Sequence, residues 1–369
     1  MLYLDNIIFS LQHSGGISVV WYNILNSLIT GNMPFHCLEY PDAANNIFRR
    51  QIELPYDKIS YCKQTFLPIA RYMPVRITDK KQFIFHSSYY RYCLNKKAIN
   101  ITTVHDFTYD YSASGIRKMF HCRQKYAAIR HSDIIVCISE NTKRDLLKFL
   151  PDVDPAKVQV IYNGVSMTYR PIEDKLQEFG EYVLFVGARG GYKNFRFVVD
   201  SLRETSLKLA ICGKPLTSEE RQELDDKLGH SRYKVYENVD DEVLNRLYNS
   251  VYCLAYPSSY EGFGIPVIEA QRAGCPVIAL NASSISEIIG ETPLLMPSLD
   301  KETFIGRLKI LHSETKRKEI IEHGLTNSLR FSWQKTSGEY MSLCDNVLRI
   351  RRGGGIIPLI DFQQERRAA

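Results

Sequence analysis

Two glutamates eight positions apart, Glu261 and Glu269, bracket the stretch best suited to chemistry. Between them the chain reads Gly262-Phe263-Gly264-Ile265-Pro266-Val267-Ile268. The apolar run 252–256 ahead of them predicts a strand. The glycines and the proline predict a tight turn that opens directly into a helix. Such a turn offers backbone N–H groups and the positive end of a helix dipole to an anion. One carboxylate precedes the turn and the other lies on the first turns of the helix, so a ligand with a phosphate and several hydroxyls matches both.

A second glycine-rich stretch, Gly187-Ala188-Arg189-Gly190-Gly191-Tyr192-Lys193-Asn194, also follows a predicted strand and precedes a helix. In open α/β sheets ligands sit beyond the carboxyl ends of the strands, which puts Arg189 and Lys193 in position to hold phosphate. Alone, the pair reads equally well as solvent-facing cations, and the Glu261–Glu269 turn tips the balance. His105 ends the apolar strand 101–104, either as a catalytic hydrogen-bond partner or as a structural histidine tied to Asp106. Ser14-Gly15-Gly16 sits between a strand expected over 2–9 and a helix marked by Ile17, Val20, Trp21, Ile24, Leu25 and Leu28. No Gly-x-Gly-x-x-Gly or Walker lysine accompanies it, so Gly16 either admits a ligand to the backbone or satisfies turn geometry. Asp152-x-Asp154 and Asp106 with Asp110 do not amount to a metal site, and none is expected. Residues 139–142 read as a helix N-cap cluster, with Asn141 and Thr142 as cap positions.

The elements that carry these residues alternate. Strands are expected near 35–39, 82–85, 99–104, 134–138 and 158–161, with helices over 115–131 and 141–150. The rhythm repeats from Tyr182 onward. This predicts two successive Rossmann-like, doubly wound parallel sheets: 1–171 and 172–330, a terminal helix over 331–352, and a flexible tail from the Gly353-Gly354-Gly355 run to 369.

With 369 residues, 44% hydrophobic and 24% charged, the composition is that of a soluble globular protein of two domains. Nine cysteines without Cys-x-x-Cys or zinc spacing fit a reducing cytosol. The charge-free run 6–38 is broken by Gln12, His13, Ser14, Gly15 and Gly16, so it reads as neither a membrane span nor a signal peptide. Residues 1–172 carry 21 Lys and Arg against 13 Asp and Glu, the remainder 26 against 28. The basic half is also aromatic around 56–92, which reads as a solvated face over a core, or as a surface for nucleic acid or an anionic, membrane-associated acceptor.

Taken together, the segments 104–106, 138–143, 160–165, 186–194 and 248–280 resemble the retaining glycosyltransferases of the GT-B architecture, family 4 (group 1) type. The run Glu261 to Glu269 looks like that family's Glu-x7-Glu motif. The resemblance implies an α/β fold of two Rossmann-like domains facing across a cleft, a nucleotide diphosphate sugar as donor, and no cofactor or metal. It further implies that Lys193 and Arg189 neutralise the diphosphate leaving group, that Glu261 hydrogen-bonds the donor sugar and that Glu269 holds the ribose. Backbone around Gly262, Phe263, Gly264, Ile265, Pro266 and Val267 would complete the diphosphate site. Gly16 would approach the phosphate and His105 the transferred sugar. Family members commonly carry Arg-Lys-Asn where this chain has Tyr192-Lys193-Asn194, and Arg189 is the residue expected to supply the second cation. The terminal helix near Trp333 resembles one that crosses back to the N-terminal domain.

The expected activity is transfer of a hexose, with mannose as the candidate, to a glycan or lipid-linked glycan precursor, in the cytoplasm and with peripheral contact to an anionic membrane. No nucleic-acid partner is expected. The competing readings are a sugar-nucleotide epimerase of the same fold and a nucleic-acid-binding protein using the basic half.

Overall fold

The computed structural model describes residues 1–352 apart from Asn32, Gln64, Thr65 and Ala113. The expected flexible tail, 353–369, lies outside the described residues. The chain divides into two compact units. One comprises residues 1–164 together with the helix Trp333–Arg352, the other Val165–Ser332.

The first unit is built on seven strands: β1 (Leu2–Asp5), β2 (Phe35–Glu39), β3 (Ile59–Tyr61), β4 (Phe83–Ser87), β5 (Ala98–Val104), β6 (Ile134–Cys137) and β7 (Val158–Val160). They form one parallel sheet in the order β3-β2-β1-β4-β5-β6-β7. β4 and β6 are buried along their whole length, as strands covered by helices on both faces must be. Val20, Ile24, Leu25 and Leu28 of the helix Gly16–Thr30 recur at helical spacing and pack onto Leu2, Leu4 and Ile84. Leu343, Cys344 and Val347 of the terminal helix join the same core. Tyr340 of that helix also lies 2.7 Å from His86 Nδ1.

The second unit contains β8 (Tyr182–Val186), β9 (Lys208–Gly213), β10 (Tyr233–Glu237), β11 (Cys253–Tyr256), β12 (Val277–Leu280) and β13 (Leu295–Met296). Its parallel sheet runs β10-β9-β8-β11-β12-β13. In each unit the strand order reverses once, between β1 and β4 and between β8 and β11. β8 pairs with β9 over five residues but with β11 only at Val183–Cys253 and Leu184–Leu254. β8 and β11 therefore part toward their carboxyl ends, which is where a doubly wound sheet opens a ligand crevice.

Three local expectations need correction. β1 ends at Asp5 rather than at residue 9. The next residues turn into a short helix, Ile8–Leu11, whose Ile8 N–H donates to Ser88 Oγ at 2.9 Å. The cap of the helix Glu140–Phe149 is Ser139, whose hydroxyl accepts the Thr142 N–H, while Asn141 and Thr142 lie inside the helix. β3 was not expected, because three residues at a half-exposed sheet edge carry no periodic signal. The first compact unit ends at Gly164, ahead of Pro171. By then the chain is already held in the second unit: Tyr169 Oη donates to Asp241 and the Arg170 N–H to Asn245 Oδ1, each at 3.0 Å.

Candidate active site

In the second unit the loops leaving β8 and β11 meet at the reversal of strand order. Two contacts staple them together. The Ser259 N–H donates to the Tyr192 carbonyl at 2.8 Å. Asn194, in the left-handed region with φ 52°, turns its amide onto the Pro257 carbonyl at 2.8 Å and Ser259 Oγ at 2.7 Å. The loop is thereby fixed before the helix Phe195–Leu202 begins.

On this staple Lys193 Nζ reaches Glu261 Oε1 at 2.8 Å, the two side chains being 15% and 13% exposed. The ammonium lies within 5.7 Å of the Tyr192 ring centre and 5.4 Å of that of Tyr256. Its stem crosses Gly187, where φ is +123°, a conformation that favours glycine, and an added Cβ would press on Lys193 Cδ at 3.3 Å. Glu261 is anchored through its backbone: its N–H donates to Ser283 Oγ at 2.8 Å and its carbonyl accepts from Ser284 Oγ at 2.9 Å. A turn through Gly264 (φ +99°) then leads into the helix Ile265–Arg272. A cation and a carboxylate, both largely withdrawn from water at the mouth of a parallel sheet and beside a helix N-terminus, have the chemistry to receive an anion and hydroxyl groups respectively.

The turn contributes less backbone than its length suggested. Pro266 has no N–H, and the Val267 N–H is spent on the Gly264 carbonyl at 3.0 Å. Phe263 is buried and packs its ring 5.6 Å from that of Phe331. Arg189 is held by partners of its own. Its guanidinium forks onto Glu220 at 2.9 and 2.7 Å and donates to the carbonyls of Lys214 and Pro215 at 2.7 and 2.8 Å. With four of its five N–H donors used there and its side chain 6% exposed, Arg189 ties the glycine loop to the start of the helix Ser218–Lys227.

Residues 14–169 match the family described as Glycosyltransferase Family 4, and residues 172–327 match Glycosyl transferases group 1. The chain belongs to the group 1 glycosyltransferases. This glycosyltransferase is 24% identical over 281 residues to the O-antigen chain mannosyltransferase B of Escherichia coli, covering 70% of this chain and 73% of that one. Among solved structures it superposes on the sucrose-phosphate synthase of Thermosynechococcus elongatus with a TM-score of 0.74 at 16% identity, covering 94% and 99% of the two chains. For Anabaena HepE in complex with UDP and glucose the TM-score is 0.67 at 14% identity, covering 92% and 98%. At such identities these neighbours speak for the fold, which is GT-B with two Rossmann-like domains.

The glycosyltransferase holds Glu269 on the helix Ile265–Arg272, half-buried by surface area but with its carboxyl end enclosed by protein. Tyr248 Oη donates to Glu269 Oε2 at 3.1 Å. Burial, and then the charge of Asp241, push this carboxyl up to about 8, against the hydrogen bonds of Tyr248 and Tyr169, which pull it down.

In the first unit Gly16 opens the helix Gly16–Thr30, and a Cβ placed on it would meet nothing within 4 Å. The fold itself thus does not require glycine by crowding. Ile17 and Trp21 of this helix line a small cavity with His86, Ser87 and His105, so the neighbourhoods of Gly16 and His105 converge. Burial lowers His105 to about 4, leaving a neutral imidazole. Its neighbour Asp106 uses Oδ1 to accept the Thr108 N–H at 2.9 Å. Asp110 is taken by the fully buried Lys125 and by Tyr126 Oη at 2.5 Å, and Asp152 by Arg130 at 2.9 Å. Lys125 also donates to the Asp106 carbonyl at 3.2 Å, pinning the loop that follows His105. Sequence reading missed Lys125, and its only local signal was a lysine at an inward position of a helix. Asn194 stood in the segment that resembles the family's Arg-Lys-Asn, but nothing there signalled its amide as the staple.

Proposed function

We propose that the protein is a retaining, metal-independent hexosyltransferase of the cytoplasm that moves a hexose, mannose in the first instance, from a nucleotide diphosphate sugar to a glycan or lipid-linked glycan precursor. The observation that carries this reading is the Lys193–Glu261 pair at the strand-order reversal of the second unit. A mannosyltransferase relative supports the choice of sugar, and a fold neighbour solved with UDP and glucose supports the donor class.

In this reading the donor diphosphate takes Lys193 from Glu261. The ammonium then stabilises the charge that develops on the leaving phosphate, the part of the reaction with most to gain from a fixed cation. Glu261, released from the lysine, accepts hydrogen bonds from hydroxyls of the donor sugar, and Glu269 accepts those of the ribose. His105 acts as a neutral hydrogen-bonding group toward the transferred sugar. The acceptor hydroxyl forms the new bond to the anomeric carbon on the face from which the diphosphate departs. Its proton passes to that phosphate, so no enzyme nucleophile is used.

The test is turnover of GDP-mannose with a lipid-linked acceptor in the presence of a metal chelator, with the product linkage read by NMR. An α-linked product formed without metal agrees. An inverted product, or activity abolished by chelator, refutes the mechanism. Conversion of the sugar nucleotide without acceptor would identify an epimerase instead.

A further inference from the structure

Among the described residues seventeen large apolar side chains are exposed, and twelve of them fall between residues 56 and 120. On the helix Gly115–Arg130, Ile116 (72% exposed), Met119 (57%) and Phe120 (50%) form an outward stripe at helical spacing, the reverse of a helix that buries its apolar face. Phe66, Ile69, Tyr72 and Met73, on and beside the short helix Leu67–Ala70, are exposed as well. The two segments form one surface: the rings of Tyr72 and Phe120 lie 6.2 Å apart, and Gln124 Nε2 donates to the Arg71 carbonyl at 2.5 Å. A contiguous apolar patch of this kind marks an interaction site.

Charge selects the partner. Residues 58–81 carry six Lys or Arg and one Asp, and residues 111–132 carry five Lys or Arg and no carboxylate. Some of these cations are used internally, as Lys125 is on Asp110 and Arg130 on Asp152, while Arg123 is exposed on the helix that bears the stripe. Apolar side chains interleaved with cations suit the headgroup layer of an anionic bilayer, where rings and aliphatic groups enter the interface and cations meet lipid phosphates. The patch also adjoins the loop after His105. Tyr109, in the short helix Thr108–Ser112 that follows this loop, stacks on His121 of the helix Gly115–Arg130 with ring centres 4.2 Å apart, and Lys125 of that helix pins the Asp106 carbonyl.

We propose that this face, centred on Ile116, Phe120 and Tyr72, docks the protein on an anionic phospholipid surface. It rests on the reading above in one respect, that a lipid-linked acceptor is presented from that surface to the loop bearing His105.

The experiment is co-sedimentation of the full chain with vesicles of phosphatidylcholine alone and of phosphatidylcholine with phosphatidylglycerol, over a range of salt. The wild type is expected to sediment with the anionic vesicles, weakening as salt rises, and to stay in solution with the neutral ones. The double variant Ile116→Ser with Phe120→Ser, and separately Arg123→Glu, should bind at least tenfold more weakly, whereas Leu329→Ser, an exposed apolar residue of the second unit, should bind as wild type. No binding of the wild type, equal binding to both vesicles, or unchanged binding by the double variant overturns the proposal. So does a dimer in solution that the double variant dissolves, because the patch would then be covered by a second copy. Thermal unfolding with and without nucleotide on the same samples verifies folding. It also separates the two ideas: lost vesicle binding with an intact nucleotide response refutes only the docking face, and the converse refutes only the donor site.

Discussion

Replacing Glu269 by Gln should abolish a pH dependence that the wild type shows when it binds a nucleotide sugar. The carboxyl of Glu269 is raised to about 8, by burial first and the charge of Asp241 second. Ribose hydroxyls donate hydrogen bonds, so the site assigned to them works through the ionised carboxylate. With that carboxyl at about 8, roughly one hundredth is ionised at pH 6 and one half at pH 8. Affinity for a nucleotide sugar should therefore rise about fiftyfold across that interval, ~2.3 kcal/mol, with release of close to one proton per ligand at the acid end. The intact sugar nucleotide is the proper ligand, because its diphosphate does not titrate in this range. Isothermal titration calorimetry in buffers of different ionisation enthalpy measures both quantities. Glu269→Gln keeps the shape and should show neither the slope nor the proton release. Stability should respond in the opposite sense. A carboxyl whose folded pKa lies above its unfolded value of about 4.5 holds its proton in the native state, so stability falls as pH rises from about 4.5 to 8, and the substitution flattens that fall. An affinity that is constant from pH 6 to 8 in the wild type, or an unchanged slope in Glu269→Gln, refutes the assignment of this carboxylate to the ribose.

Other outcomes follow from the same geometry. Lys193→Ala should lower kcat/KM at least about tenfold, ~1.4 kcal/mol or more of transition-state stabilisation, with Lys193→Arg recovering part of it in steady-state assays. His105→Ala should cost at least about tenfold in turnover. Because burial holds His105 near 4, the wild-type rate between pH 6 and 8 should carry no limb from this histidine. Asn194→Ala removes the staple between the two loops and should destabilise the protein by about 1–3 kcal/mol in urea unfolding while raising the KM for donor. Asn194→Gly tolerates the left-handed backbone but lacks the amide, so it should repair only part of the stability and little of the KM.

The doubly wound architecture was legible because its strands, buried on both faces, are short apolar runs separated by helices of periodic pattern. The meeting of Lys193 with Glu261 was legible for a related reason: both follow strands, and the carboxyl ends of parallel strands share one edge of the sheet. Long-range partners were not legible. Arg189 sits on the expected loop, but Glu220, thirty-one residues away, claims its guanidinium, and no local pattern distinguishes a cation that meets a ligand from one that meets a helix start. Spacing likewise said nothing of Lys125, which crosses from its helix to close the loop after His105. The three-residue edge strand β3 is too short to show a period, and the hydrogen bonds of Tyr169 and Arg170 to Asp241 and Asn245, more than seventy residues on, are not revealed by sequence proximity. The exposed stripe of Ile116, Met119 and Phe120 has helical spacing, yet spacing alone would have turned it inward.

The central claim is that Lys193, drawn from Glu261, holds the diphosphate of a nucleotide donor. Thermal unfolding of wild type and Lys193→Ala with GDP, UDP, dTDP and ADP tests it most directly. A ligand present at one hundred times its dissociation constant adds about 2.7 kcal/mol, a shift of several degrees. The account predicts that one of these nucleotides raises the wild-type midpoint and that the shift largely disappears in Lys193→Ala. No response to any of the four, or an equal shift in the variant, contradicts it.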